Sequence, residues 1–430
     1  MGEKERILDH LENDYTEPIR DPVWKHIYMS RPLLKVVEME QFQKLDRIRQ
    51  LGPACLVYPG ATHSRRSHSL GVFHIARRMI TTLVRKNEEV DITLEGVKAF
   101  LCAALLHDIG HYPFAHSLKD LDLEAHEALA ARQILSDFSA VITSNLGIEP
   151  EAVASIIDHG TRYGGVENVG FYWKLLSGVL DPDKLDYLNR DAFFCGVPYG
   201  IQDVDFILEE VYPHLGNGVA ISPKGITALE NILFSKYLMY KTVYWHKTVR
   251  IATGMIKKAI AMALGQGVIG KQDLYGLDDE EFFARFTDRH FPAARLIEDA
   301  RKRILHKQVL RIPFSDDDPI HRRLEDVGAR LALEKDIARE AGGIMGKTVD
   351  AECILVDVPE RISFELSVPV IAPGSPEPEE TDAGDASYVF RRMGHEDFPR
   401  SLRTISVSAR RDDELMAALK RIDLSRRFHA

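Results

Sequence analysis

From about Gln41 to Ile260, apolar residues recur every three or four positions between breaks marked by glycine and proline, the spacing of successive amphipathic helices. Phe73, Ala76, Ile80 and Leu83 follow it after Gly71. Ala99 to Leu106 is apolar at nearly every position and ends in His107-Asp108-Ile109-Gly110-His111-Tyr112-Pro113, which predicts a buried helix stopping at the glycine and proline. Glu124 to Leu135 is rich in Ala, Glu and Leu and predicts another helix. Asp181 followed by Pro182 reads as an N-cap and first helical position. Ile226 to Leu264 predicts one or two more helices. From Gly265 to Gly346 the pattern stays helical but more charged, as in a peripheral lobe. After Thr348 the texture changes: Glu352 to Val358, Ser367 to Ile371 and Arg403 to Ala409 are rich in Val and Ile and read as strands. Between them, Pro373 to Asp385 is a Pro, Gly and acid stretch expected to be a mobile loop, and Leu415 to Ile422 a short helix.

The expected architecture is mainly α. It divides into an N-terminal segment (1–40), a helical core (41–264), a helical accessory region (265–347) and a small α+β module (348–430). With 430 residues, 45% hydrophobic and 28% charged, the chain has a globular balance suited to two or three domains. Lys plus Arg total 55 and Asp plus Glu 65, a net charge of -10, so the chain is not built as a duplex-binding protein. Cys55, Cys102, Cys195 and Cys353 form no CxxC or CxxH pair and read as small hydrophobes in a reducing compartment. Met1 to Arg6 is charged, no apolar signal region follows, and no apolar run approaches the roughly 20 residues of a membrane span. The expectation is a cytoplasmic protein without a membrane partner.

The candidate chemistry is a set of histidines and aspartates beside the apolar helices. His107 and Asp108 end one buried helix, His68 begins another after Arg65 and Arg66, and Asp183 lies in the first turn of a third. A charged aspartate in apolar surroundings is costly unless paired or bound to a metal. Imidazole plus carboxylate suits Zn, Fe or Mn, and an open site would activate water. An adjacent His-Asp pair alone is a weak motif. The wording around these residues adds to it: Gln41 to Gly52 (QFQKLDRIRQLG), Tyr58 to Val72 (YPGATHSRRSHSLGV), Leu106 to His116 (LHDIGHYPFAH), His126-Glu127, and Leu180 to Asp191 (LDPDKLDYLNRD).

In these stretches the chain resembles the HD-domain phosphohydrolases. Within them it is similar to the deoxynucleoside triphosphate (dNTP) triphosphohydrolases, both the bacterial dGTPase type and the vertebrate SAM-and-HD-domain type. The resemblance runs from about Asp21 to Ile260 and implies an HD-domain helical bundle. The residues before about Asp21 are too few for a SAM domain, so that module is expected to be absent. The resemblance implies His68, His107, Asp108 and Asp183 as ligands of a divalent metal ion: Mn, Fe, Mg or Zn. It gives His126 a catalytic role, with Glu127 beside it and His111 and His116 near the scissile phosphate. Arg65 and Lys184 fall on phosphate-contacting positions, Tyr187 and Asp191 on deoxyribose-facing ones, and Gln50 and Leu51 on the sugar and base lip. Asp186 and Arg190 read as a structural ion pair, and Arg66 as a solvated neighbour.

Departures are visible too. Lys119 stands where relatives often carry an acid, although Asp120 follows. No phosphate-contacting arginine is evident in Tyr237 to Trp245, which leaves Lys241, His246 or Lys247 as the candidate substitute. Glu38 and Gln43 are conservative counterparts of activator contacts, but Asp46 stands where a basic residue is expected, which speaks against dGTP-type activation. The implied activity is hydrolysis of a dNTP to deoxynucleoside and tripolyphosphate by a homo-oligomer, a dimer or tetramer. Two other readings remain at this point: a phosphohydrolase of another nucleotide or nucleoside phosphate, and a weakly catalytic nucleotide or single-stranded nucleic-acid binder. The second draws on the basic tail: Arg391, Arg392, Arg400, Arg403, Arg410, Arg411, Lys420, Arg421, Arg426 and Arg427.

Overall fold

Helix α1 (Glu3–Asn13) leads into an antiparallel hairpin, β1 (Tyr15–Asp21) and β2 (Lys25–Ser30), with Asp21 opposite Lys25 next to its turn. This is a computed structural model, and it describes residues 2–86, 91–165, 168–287, 291, 293–362, 367–371, 381–387, 389 and 397–428. The hairpin alternates in burial and lies outside the helical pattern read above.

The core helices follow: α2 (Arg65–Lys86), α3 (Leu94–Leu106), α4 (His126–Ser136), α5 (Pro150–Ile157), α6 (Val169–Ser177) and α7 (Pro182–Cys195). Helix α3 is capped by Thr93, whose side chain accepts from the Gly96 N–H, and every residue from Ala99 to Leu106 is buried. Each large apolar side chain so buried contributes about 1.5–3 kcal/mol, enough to fix this helix as the centre of the bundle. Helix α7 starts as its sequence predicts. The Asp181 side chain accepts from the Lys184 N–H, Pro182 takes the first position, and Gly196 ends the helix at φ 66.

A second hairpin, β3 (Val211–His214) and β4 (Gly218–Ile221), interrupts the region expected to be helical throughout. Helices α8 (Ile226–Met239) and α9 (Lys247–Gly265) flank a one-turn π-helix at Tyr240–Tyr244. Beyond them, the region expected to stay helical contains β5 (Lys307–Pro313) before helix α10 (Val327–Met345). Strands β6 (Ile354–Asp357), β7 (Pro369–Val370), β8 (Thr381–Asp382) and β9 (Thr404–Ala409) come next, with helix α11 (Asp413–Leu419) after them. Strand β9 is central in the order β5-β9-β6, antiparallel to both neighbours, so this sheet crosses the division expected near 347. Its apolar face packs with α10 and α11, Ile337, Ile354, Ile405, Val407 and Phe428 lying at the centre. Strand β7 pairs in parallel with β4 and antiparallel with β8. Most of the expected acidic loop, 372–380, lies outside the described residues, as do Arg391 and Arg392.

The C-terminal unit docks on α9 through buried polar contacts. Lys258 Nζ donates to Glu334 at 2.6 Å and to the carbonyls of Ala351 and Ile354, also at 2.6 Å. Arg250 makes a two-point pair with Asp357 at 2.7 and 2.9 Å. Of the tail cations, Arg403 pairs with Glu325 and stacks over Phe314, Arg426 pairs with Asp423, and Arg427 pairs with Glu340. All four cysteines are free; Cys102 and Cys353 are buried and the other two half-buried. Among the described residues, no helix is long and apolar enough to cross a membrane.

Candidate metal centre and active site

The four residues expected as metal ligands come from three places that the fold brings together. His68 sits one turn into α2, His107 and Asp108 follow the end of α3, and Asp183 lies in the first turn of α7. His68 Nε2 is 2.9 Å from Asp183 Oδ1 and 3.9 Å from Asp108 Oδ2. His107 Nε2 is 3.4 Å from Asp108 Oδ1 and 3.9 Å from Asp183 Oδ1. His68, His107 and Asp183 thus bring three donor atoms within 4.8 Å of one another, and Asp108 flanks them.

Both imidazoles are oriented for ligation. His68 Nδ1 is 2.8 Å from Asp186 Oδ2, and His107 Nδ1 is 3.0 Å from the Ala104 carbonyl. Each Nδ1–H therefore has an acceptor, which turns the Nε2 lone pair toward the other donors. His107 Nε2 is buried and has no hydrogen-bond partner, an orphaned atom that a metal ion would satisfy. The donor chemistry, imidazole with carboxylate, fits Mn, Fe, Zn or Mg. Without an ion, burial opposes charge on His68, but hydrogen bonds to Asp183 and Asp186 outweigh it and push the imidazole up to about 10. Burial also opposes charge on Asp108, and His111, His107 and Arg65 together hold it well below the usual carboxylate range.

Asp186 is the hub behind the centre. It accepts from His68, from two nitrogens of Arg190 at 2.8 and 2.9 Å, and from the Trp24 indole at 2.5 Å. Arg190, fully buried, also donates to Asp21 at 2.9 Å. The expected Asp186–Arg190 pair is present; its hold on His68 is what the sequence did not disclose. Gly71 makes the approach of α7 feasible, because a Cβ there would lie 1.8 Å from Asp186 Oδ1.

On the other side of Asp108 lies a cluster of three imidazoles. His111 Nδ1 is 3.1 Å from Asp108 Oδ1, and His111 Nε2 is 3.2 Å from His116 Nε2. The His111 and His126 rings stand 3.8 Å apart, and His126 Nδ1 is 3.2 Å from Glu127. His126 opens α4, so the packing of α4 on the end of α3 decides this geometry. Gly110 permits that packing: a Cβ there would lie 2.1 Å from the His126 carbonyl oxygen and 2.5 Å from the Ala130 nitrogen. Both are backbone atoms that cannot yield cheaply. Gly110→Ala is expected to cost about 1–3 kcal/mol or more, the scale of core overpacking, and to displace His126. Calorimetry with metal analysis checks it: a Tm lowered by several degrees, activity reduced, and metal retained.

The other expected site residues are also placed. Arg65 is buried, its Nη1 2.7 Å from Asp108 Oδ2, with its Nε unpartnered. Arg66 is half-buried rather than solvated. Lys184 is turned inward, donating to Asp181 at 2.5 Å and the Gly178 carbonyl at 2.7 Å. Asp191 is buried, 2.8 Å from His63 Nε2 and accepting from the Tyr244 hydroxyl at 2.7 Å. The π-helical turn brings Tyr244 there, edge-on to Tyr187. The 48–52 segment runs beside 63–65, with the Gln50 N–H donating to the His63 carbonyl and Gln50 Oε1 buried without a partner. Leu51 is half-buried and packs against the core. His63 went unnoticed in the sequence although it lies inside the Tyr58 to Val72 stretch.

A family model described as "HD domain" matches residues 65–178, and one described as "HD associated region" matches 203–375. The chain is 32% identical over 332 residues to an uncharacterized protein of Methanocaldococcus jannaschii, covering 75% of this chain and 67% of that one. The chain belongs to the HD-domain phosphohydrolase family. It is also 35% identical over 247 residues to an uncharacterized protein of Bacillus subtilis, covering 57% of this chain and 55% of the relative. With deoxynucleoside triphosphate triphosphohydrolase SAMHD1 of Homo sapiens it shares 27% identity over 335 residues, 68% of this chain and 53% of that protein. The chain thus spans little more than half the length of these last two relatives. A phosphohydrolase from Bacteroides thetaiotaomicron has the same fold, with a TM-score of 0.70 at 24% identity, over 92% of this chain and 99% of that one. Asp183 falls between the two family-model matches, so its place in the HD centre rests on the geometry above.

Proposed function

We propose that the chain hydrolyses deoxynucleoside triphosphates to deoxynucleoside and tripolyphosphate at this divalent-metal centre. One observation carries the reading: Asp108 groups with His111 and His126 and also lies 3.4 Å from His107 and 3.9 Å from His68, so it joins the imidazole cluster to the His68, His107 and Asp183 donors. A bound divalent ion would supply Lewis-acid polarisation of water and of a phosphoryl oxygen at this point. The chain's own residues do the rest. Arg65 holds Asp108 and retains an unpartnered Nε–H as a donor to a phosphate oxygen. His126, His111 and His116 form a ring-to-ring cluster that holds or passes a proton at the departing 5′ oxygen. Lys184 reaches a phosphate once it exchanges its Asp181 and Gly178 partners for it. Asp191, fixed by His63 and Tyr244, accepts from a sugar hydroxyl, with the Tyr187 ring beside it as a wall. The name of the human relative supports a deoxynucleoside triphosphate as substrate.

The test is a substrate panel with Mn²⁺ and, separately, Mg²⁺. Release of deoxynucleoside from dNTPs is expected, with 2′,3′-dideoxy analogues slower because they lack the hydroxyl that Asp191 accepts from. Faster turnover of nucleoside monophosphates or of another nucleotide class would overturn the substrate and leave an HD phosphohydrolase of different specificity.

A further inference from the structure

The loop that carries His116 is anchored from outside the helical core. It is one 3-10 stretch, Ala115–Leu121, and the residues on either side, Phe114 and Asp122, both adopt left-handed backbone at φ 62 and 53. Neither is glycine, so each stores strain that persists only where surrounding contacts hold it. Leu118 anchors the loop in the apolar cluster shared with α9. Asp120, four residues past His116, supplies a polar anchor. Its carboxylate accepts from Lys257 Nζ on α9 at 3.0 Å and from Arg330 Nη2 on α10 at 2.5 Å. Arg330 is buried, and its Nη1 donates to the carbonyls of Leu324 and Glu325 at 2.9 and 3.1 Å, so the fork is fixed where it meets Asp120. One turn along α10, Glu334 accepts from Lys258 and from the Val356 N–H at 2.7 Å. The neighbouring lysines of α9 thus reach in two directions, one to the histidine loop and one to the helix that backs the C-terminal sheet.

We propose that Asp120, Arg330 and Lys257 are positioning residues that hold His116, and through it His111, in register with the metal donors. The C-terminal unit is then required for turnover through this one contact. The inference rests on the phosphohydrolase reading but not on which nucleotide is cleaved. Asp120 acts through the loop backbone and not by proton transfer, because its carboxylate is engaged by two cations from α9 and α10. A displacement of about 1 Å in a reacting group costs on the order of 10²-fold in rate, so loss of the anchor shows in kcat and not in metal binding.

The test uses the full-length chain with Arg330→Ala, Arg330→Lys, Asp120→Asn and the double variant Asp120→Ala with Arg330→Ala. Arg330→Ala is expected to lower kcat by roughly 10–100-fold with KM and metal content unchanged. Hydrogen exchange should rise in 114–122 while the α3 and α7 amides stay protected. Arg330→Lys should recover part of the rate, and the double variant should be no slower than the slower single one, as for two halves of one contact. Wild-type kcat and wild-type exchange in both Arg330→Ala and Asp120→Asn would overturn the proposal. So would a loss of metal with exchange raised throughout the core, which marks a structural role only. The exchange comparison needs no substrate, so it decides this question even where the dNTP panel fails.

Discussion

Asp183→Ala is expected to lose bound metal and activity together, with activity falling at least ~100-fold. In the proposed ligand set Asp183 is the one donor from α7, and its Oδ1 lies within 4 Å of the Nε2 atoms of both histidines. Changes behind a metal ligand typically cost 10–100-fold in affinity or activity, so removing a ligand itself should cost more. Stability supplies an independent readout. Added metal stabilises the native state by RT ln(1 + [L]/Kd), about 2.7 kcal/mol at a hundredfold excess over Kd. Wild type should show that metal-dependent rise in Tm and Asp183→Ala should lack it. Metal analysis of the purified variant checks the first claim and differential scanning calorimetry the second. A full metal complement with normal turnover would remove Asp183 from the ligand set.

His126→Ala should behave in the opposite way. Its ring lies 3.8 Å from that of His111, and its Nδ1 faces Glu127; it groups with Asp108 and His111, apart from the His68, His107 and Asp183 donors. Metal content and Tm should stay near wild type while kcat falls by roughly 10²–10⁴-fold, the usual contribution of a positioned acid–base group. KM should change little, because the imidazole acts on the reacting atoms and not on uniform binding. Single-turnover rates with metal-replete protein are the measurement. A His126→Ala protein that has lost its metal would move His126 among the ligands.

The contrast between these two variants reflects what the sequence discloses. The helix ends that carry His68, His107, Asp108 and Asp183 are legible locally, as at Asp181 and Pro182, but their reading as one ligand set comes from the family resemblance of the stretches around them. What joins those ends is not local. Asp186 reads as a partner of Arg190 four residues on, yet it also holds His68, 118 positions away. His63 meets Asp191 across 128 positions, and no periodicity reports such a pair.

The missed strands have different causes. β3 and β4 carried a readable signal, since Gly216-Asn217-Gly218 lies at their turn, but two short strands between helices are easily absorbed into a helical pattern. β5 interleaves Lys307 and Arg311 with Val309, Leu310 and Ile312, and only its pairing with β9, across nearly a hundred residues, makes it a strand. Lys184 shows a further limit. Its position suggests a phosphate contact, while the fold gives it the Asp181 carboxylate and a carbonyl until an anion competes.

The central claim is that the Asp108-centred site cleaves the bond between the α-phosphorus and the 5′ oxygen of a deoxynucleoside triphosphate. The most direct test is ³¹P NMR of the products when metal-replete protein turns over a dNTP in ¹⁸O-labelled water. The account predicts intact tripolyphosphate carrying one ¹⁸O on a terminal phosphoryl group, with unlabelled deoxynucleoside. Orthophosphate or pyrophosphate released with a deoxynucleotide would contradict it, because either product set leaves the bond between the α-phosphorus and the 5′ oxygen intact.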